Sequence, residues 1–244
     1  MGSFINNISV DCVIFGFHGG ILNVLLTQRK LSDSDTGATL ISDYTLQGHH
    51  VEIGENLDSA AKRVLKEKTG LENIFLKQFY TFSDIDRLHN ERDQLWLRTK
   101  YPMYADHIIS IGYYSLVDSS KVQPQPNHPE TKWFSVNALP ELAFDHGKII
   151  RKALEYLQRE IRYEPIGFEL LPDKFTLTEL QLLYEAVLGI KLDRRNFRKK
   201  VTQMKYLIAL DEKQNGVAHK PAQLYIFSRD VYERTKKEKM DFSF

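Results

Sequence analysis

The sequence predicts a mixed α+β chain of two domains, the second a winged helix-turn-helix. Three observations carry this expectation. Apolar runs rich in aromatic and β-branched residues dominate the first 144 residues, around one segment of helical period. Near the C-terminus a capped helix, a short turn, a basic helix and a hairpin follow one another. The charge is also divided: residues 1–160 hold 17 Lys+Arg against 20 Asp+Glu, whereas residues 161–244 hold 16 against 12. A basic C-terminal part on a nearly neutral chain, net charge +1, is a compositional hint of nucleic-acid binding.

The 244 residues suffice for one large domain or two smaller ones, and 42% hydrophobic with 27% charged residues argues against disorder and low-complexity scaffolds. No apolar run approaches the roughly 20 residues that span a bilayer, so no membrane partner is expected. MGSFINNISVDC lacks the basic and apolar regions of an export signal, and Asn6 breaks the myristoylation pattern. The single cysteine, Cys12, cannot form an internal disulfide, and a cytoplasmic location is expected.

Taken in order, SVDCVIFGFHGGILNVLLTQRK is two apolar runs around His18-Gly19-Gly20 and reads as a β-hairpin. LSDSDTGATLISD reads as a polar loop. After TLQGHHVEIGE, the positions Leu57, Ala60, Ala61, Val64 and Leu65 repeat with helical period, and Thr69-Gly70 ends that helix. NIFLKQFYTFSD and HIISIGYYSLVD read as strands. Between them RLHNERDQLWLRTKYPMYAD shows no clear period and is expected to be an extended loop. VQPQPNHPE is a proline-rich connector. DHGKIIRKALEYLQREIRY reads as a linker helix over 145–163, with Ile149, Ile150, Ala153, Leu154 and Leu157 on one side and Asp145 as its N-cap.

The remainder, 164–230, carries the winged helix, and 231–244 is a charged tail. Thr176 and Glu179 are spaced as a capping box, with Gly189 at the helix end. Asp193 caps RRNFRKKVTQMKY, and IALDEKQNGVAHKPAQLYIFS reads as two strands around Asn215-Gly216. In the basic helix Phe197, Val201 and Met204 form an inward stripe, leaving Arg195, Arg198, Lys199 and Thr202 on the opposite arc. Arginine there can meet phosphates and read guanine in the major groove. Arg194, Asn196 and Lys200 flank this face, and Lys213, His219 and Lys220 extend it from the wing.

Residues 48–71, GHHVEIGENLDSAAKRVLKEKTGL, resemble the Nudix box, the loop-helix-loop signature of pyrophosphohydrolases. Glu55, Arg63, Leu65, Glu67, Gly70 and Leu71 match, whereas His49, Val64 and Lys68 stand where the pattern has glycine, glutamate and glutamate. A hard cation needs several oxygen ligands, and the helix carboxylates supply them from one face. With Glu67 alone surviving of the three, no catalytic residue, metal site or cofactor is expected. Arg63 and Glu67 are instead spaced for an i,i+4 ion pair. The neighbouring His49-His50 pair lacks matching ligands elsewhere.

Both parts together, with YTFSDIDR, LAFDH, YEPIGFELLP, FTLTELQLLYE, RRNFRKK and KPAQLY, resemble the Nudix-related transcriptional regulators. That resemblance implies a Nudix-like α/β/α sandwich over residues 1–144 as an effector sensor, joined to the DNA-binding winged helix. It also implies a homodimer on a palindromic operator, released by a small molecule. The match is most similar to the arabinose-responsive repressors, which makes L-arabinose the expected effector, with ADP-ribose the alternative. In such a sandwich the effector lies near Gln47–Glu55 and the loop after YTFSD, so Gln47, His49, Asp84 and Arg87 are candidate effector-binding residues. Trp96 and Tyr101 either cover the ligand or pack. Two other readings remain: an active Nudix hydrolase with a nucleic-acid module, and a winged helix that contacts protein.

Overall fold

The computed structural model describes residues 4–70, 72, 74–88, 90–101, 107–122, 130–216 and 220–235. They divide into two compact units, residues 1–16 with 23–156 and residues 17–22 with 157–244. Among the described residues no helix is long and apolar enough to cross a membrane.

The first unit is built on a seven-stranded sheet. Strands β1 (Phe4–His18) and β2 (Ile21–Ser32) are joined by Gly19 and Gly20, whose φ of 59° and 80° are the left-handed pair that a two-residue hairpin demands. With β3 (Thr39–Thr45), β4 (Gln47–Glu52), β5 (Phe75–Phe82), β6 (Ile109–Asp118) and β7 (Thr131–Ser135), the order is β3-β2-β1-β6-β5, with β4 on β1 and β7 on β2. The strands take up most of the segment expected to be a polar loop, which shrinks to residues 33–38 because β2 continues to Ser32 and β3 starts at Thr39.

Side chains alternate across the sheet. Val10, Cys12 and Ile14 of β1 and Ile111, Tyr113 and Val117 of β6 pack with Ala60, Ala61, Val64 and Leu65 of helix α1 (Leu57–Thr69). On the opposite face Phe79 and Tyr114 stack toward Tyr156 of helix α3 (His146–Glu160). Helices on both faces make the α/β/α sandwich. Asn56 caps α1 by accepting from the Ser59 amide, and Gly70 closes it at φ 70°.

The expected extended loop after β5 is instead a 3-10 turn at Ile85–Leu88 followed by helix α2 (Glu91–Lys100). Its period is hidden because the helix buries a charged residue, Asp93, beside Leu97 rather than an apolar stripe. Asn90 caps it through the Arg92 amide.

In the second unit, helix α4 (Leu177–Leu188) opens on the full capping box of Thr176 and Glu179 and ends at Gly189. The Glu185 carboxylate then accepts from the Leu192 amide at 3.0 Å and from Lys191, which fixes the turn before helix α5 (Arg194–Val201). Asp193 caps α5 through the Asn196 amide. Strands β8 (Leu207–Lys213) and β9 (Gln223–Phe227) form the wing, and Phe175 exchanges backbone hydrogen bonds with Tyr225. Phe197, Val201 and Met204 are buried as the stripe requires, with Tyr184 edge-on to Phe197. Helix α6 (Arg229–Thr235) follows the wing, and the rest of the expected tail lies outside the described residues. Replacing Thr176 by Ala removes one half of the capping box and is expected to destabilise the protein by about 1 kcal/mol, measured as a shift in the urea unfolding midpoint.

Candidate functional site

Two places in the structure gather functional side chains: a cavity in the sandwich and the exposed face of α5. The cavity has a volume of about 260 Å³ and lies between strands β1, β2 and β4, the end of α1 and helix α2. Its wall includes Thr27, Arg29, Gln47, His49, His50, Lys68, Arg87, Trp96, Tyr101 and His146. Gln47, His49 and Arg87 were candidates from the sequence and all three line it. Asp84 does not: its carboxylate is 75% exposed and faces Lys148 at 3.7 Å, because the chain turns outward before the 3-10 turn.

Gln47 is buried and held in place, its carbonyl accepting from the Thr27 hydroxyl at 3.0 Å. His49 is partly exposed between the rings of Phe4 and Tyr101. Arg87 is nine-tenths buried and engaged internally. It donates to both oxygens of Asp145, at 3.1 and 2.8 Å, and to the carbonyl of Ile108. The sequence predicts Asp145 as the N-cap of α3; its carboxylate instead accepts from Arg87, and its carbonyl accepts from the Lys148 and Ile149 amides of the first turn.

The strongest feature of the cavity was not visible in the sequence. Arg29, 2% exposed, donates through Nε and Nη2 to the two oxygens of Asp43, its cross-strand partner on β3, each at 2.7 Å. Nη2 also donates to Asp93 of α2 at 2.5 Å. The guanidinium lies 5.0 Å from the Trp96 ring and 4.7 Å from the Phe144 ring. Phe144 adopts φ 51°, a left-handed conformation that a bulky residue rarely takes, and its amide donates to Asp93. Arg29, Asp43 and Asp93 are far apart in sequence, and nothing in their local pattern distinguishes them from surface charges.

Next to this cluster, His146 opens α3. Its Nδ1 lies 3.0 Å from the Leu46 amide, and since an amide can only donate, Nδ1 is the unprotonated acceptor. Burial lowers the pKa of His146, Asp11 and Asp145 oppose that shift, and Arg87 and Arg29 add to it. Asp11 sits 3.7 Å from the other ring nitrogen and accepts from Ser110. Gly48 makes room for it, since a Cβ there would stand 2.1 Å from Asp11 Oδ1.

On α1, Arg63 is a clamp. It donates twice to Glu55, both at 2.9 Å, and to the His50 carbonyl, while the expected partner Glu67 lies farther away, at 3.7 Å. Glu55 folds back because its carboxylate also accepts from the Glu52 amide, and Arg63 holds its pKa below the usual range. Val64 is fully buried, and Glu67 is half exposed. Among the described residues no group of three His, Cys, Asp or Glu is placed to hold a metal ion.

On α5, Arg194, Arg195, Asn196 and Lys199 are exposed, Arg198 is partly exposed, and Lys200 and Thr202 lie at the solvent side of the last turn. The Thr202 hydroxyl donates back to the Arg198 carbonyl at 2.7 Å. Lys213 is exposed at the end of β8 and Lys220 is exposed before β9, while His219 lies outside the described residues. Charge and exposure suit this face to a polyanion.

A Nudix sandwich joined to a winged helix defines a class of two-part regulator. Residues 6–155 match the NUDIX domain and residues 167–227 match the NrtR DNA-binding winged helix domain. The chain is 31% identical over 231 residues to the "ADPR responsive transcriptional repressor NtrR" of Acinetobacter baylyi, covering 92% of this chain and 83% of that one. It resembles the crystal structure of Shewanella oneidensis NrtR complexed with a 27mer DNA, at 27% identity and TM-score 0.71, over 93% of this chain and 95% of that one. A shorter match, 31% over 113 residues, is to an ADP-ribose pyrophosphatase of Methanocaldococcus jannaschii and covers 46% of this chain and 58% of that one. The chain belongs to the NrtR-like family of Nudix-related winged-helix regulators.

Two outcomes test the cavity. Asp93→Ala leaves Arg29 buried with one carboxylate fewer and the Phe144 amide without its acceptor; a loss of about 3 kcal/mol or more in denaturant unfolding is expected. For His146 the folded pKa is lowered, so its neutral form is favoured by folding. That stability is present above the unfolded value near 6.5 and is lost as pH falls through and below it. Melting temperature should drop between pH 7.5 and 5.5, and His146→Asn should flatten the profile.

Proposed function

We propose that the protein is an ADP-ribose-responsive, DNA-binding transcriptional repressor, in which residues 1–144 sense the effector, 145–163 form the linker helix and 164–230 bind the operator. The observation that carries this reading is the α5 face, with Arg194, Arg195, Arg198 and Lys199 outward and Phe197 locked inward, on a chain alike along 92% of its length to a repressor that responds to ADPR. Arg195 and Arg198 are assigned to the major groove, and Arg194, Lys199, Lys200, Thr202, Lys213 and Lys220 to the phosphates. The operator is palindromic and the protein binds it as a homodimer.

This reading takes ADP-ribose, the alternative effector from the sequence, in place of L-arabinose. The expectation of L-arabinose rested on resemblance alone, whereas the repressor alike along nearly the whole chain is named for ADPR. Effector binding shifts the population of two arrangements of the winged helices and weakens operator affinity. The path begins at the cavity wall, where Arg87 holds Asp145 and the Leu46 amide holds His146, the first residue of α3.

The Nudix domain senses rather than hydrolyses in this reading, because Val64 is an aliphatic core residue and Lys68 puts an ammonium on the cavity wall. Hydrolysis is the second reading, favoured by the pyrophosphatase relative and by the retained Glu67. Mg²⁺-dependent turnover of ADP-ribose that Glu67→Gln abolishes would establish it; no turnover is expected.

Anisotropy of labelled upstream DNA from NAD-metabolism genes tests the main reading. Binding should weaken steeply with salt and be released by ADP-ribose. Arg195→Ala and Arg198→Ala should each lose about tenfold or more in operator affinity with an unchanged melting temperature. Equal affinity in both variants would remove α5 as the reading surface.

A further inference from the structure

Two side chains of the cavity wall hold polar atoms that the protein does not satisfy. Arg29 uses Nε and Nη2 on Asp43 and Asp93, and its Nη1 is buried with no hydrogen-bond partner among the described residues. His50 of β4 lies edge-on to Tyr101; backbone groups of Ile8 and Ile5 engage its ring, and its buried Nδ1 makes no well-aligned hydrogen bond among the described residues. Both residues line the same cavity, together with Thr27, Gln47 and Tyr101. Leaving a buried donor or acceptor unpaired is costly, and on the wall of a cavity such an atom is open to a partner from water or from a ligand.

The chemistry of that molecule follows from the two atoms. Arg29 Nη1 only donates, whereas an imidazole nitrogen accepts or donates according to its tautomer. A hydroxyl does both, so a ligand that carries several hydroxyls answers to atoms of both kinds. An anionic group fits less well. The charge of Arg29 is already met by two carboxylates, and Asp43 also draws Arg92 to 3.3 Å, so the buried cluster is balanced. A phosphate there would add negative charge against Asp43 and Asp93 in a low-dielectric interior, while a hydroxyl adds none.

We propose that Arg29 and His50 form a sugar-hydroxyl subsite that binds the terminal ribose of the effector. Nη1 of Arg29 donates to one ribose oxygen, and Nδ1 of His50 exchanges a hydrogen bond with a second hydroxyl. Arg29 is held rigid for this by Asp43, Asp93 and the rings of Trp96 and Phe144, so little side-chain freedom is lost on binding. The subsite gives the sensor its means of telling ADP-ribose from ADP, which shares every group except the terminal sugar. This inference rests on ADP-ribose being the effector.

Calorimetric titration of the full-length protein with ADP-ribose and with ADP tests it, on wild type, His50→Phe and Arg29→Lys. Wild type should bind ADP-ribose at least about tenfold tighter than ADP. His50→Phe should lose most of that preference while keeping its affinity for ADP, a pattern that a general loosening of the fold does not produce, and Arg29→Lys should lose the preference as well. Should Arg29→Lys fail to fold, His50→Phe decides alone, since His50 carries no part of the buried ion cluster. A preference retained in folded His50→Phe overturns the subsite and leaves the ADP-ribose reading standing. Absence of ADP-ribose binding to wild type overturns both.

Discussion

The buried ion cluster of Arg29, Asp43 and Asp93 is the constraint on which the Nudix unit depends. It joins β2, β3 and α2 through one guanidinium, two of whose nitrogens are fixed by carboxylates at 2.5–2.7 Å. Burying charges costs more than their attraction returns unless geometry and hydrogen bonds are nearly complete, and here they are complete except at Nη1. The same cluster fixes the cavity wall. Asp93 holds the amide of Phe144 in its left-handed conformation, and the Phe144 ring lies over Arg29. An arrangement of this kind has few alternatives, which is what a binding wall requires.

A second set of polar contacts leads from that wall into α3. Asp145 receives Arg87, and His146 receives the Leu46 amide, so the first residues of the helix are tied to side chains and backbone that line the cavity. Coupling between sites needs a physical element whose state both ligands bias. The start of α3 is thereby tied to the cavity wall, and its ionisable members sit in an interior where small displacements change interaction energies strongly.

The segment that resembles the Nudix box is held in place by contacts within the protein. Arg63 is bound to Glu55 and to the His50 carbonyl, which pins the loop before α1 to the helix itself. Val64 occupies a core position among Cys12, Ala61 and Leu65. The box therefore places His50 and Lys68 on the cavity wall through packing and ion pairing within the protein. Its residues serve the position of neighbours.

Sequence alone determined the elements whose signals are local. The Gly19-Gly20 hairpin, the capping box at Thr176 and Glu179, the Asp193 cap and the Phe197–Val201–Met204 stripe each depend on residues within a few positions, and each is present as read. The basic face of α5 followed from the same arithmetic. Helix α2 escaped because its inward residue is a charged Asp93 whose partner lies 64 positions away, so no amphipathic period marks it. The role of Asp145 was not legible for a related reason: its carboxylate is taken by Arg87, 58 positions away, and Asp84 lies exposed near Lys148. The placement of Arg29 on the cavity wall was illegible, since burial and cross-strand pairing are properties of the folded interior. Periodicity and capping act over one or two turns and are written in the chain; the pairing of charges across strands and helices exists only once tertiary structure has excluded the water.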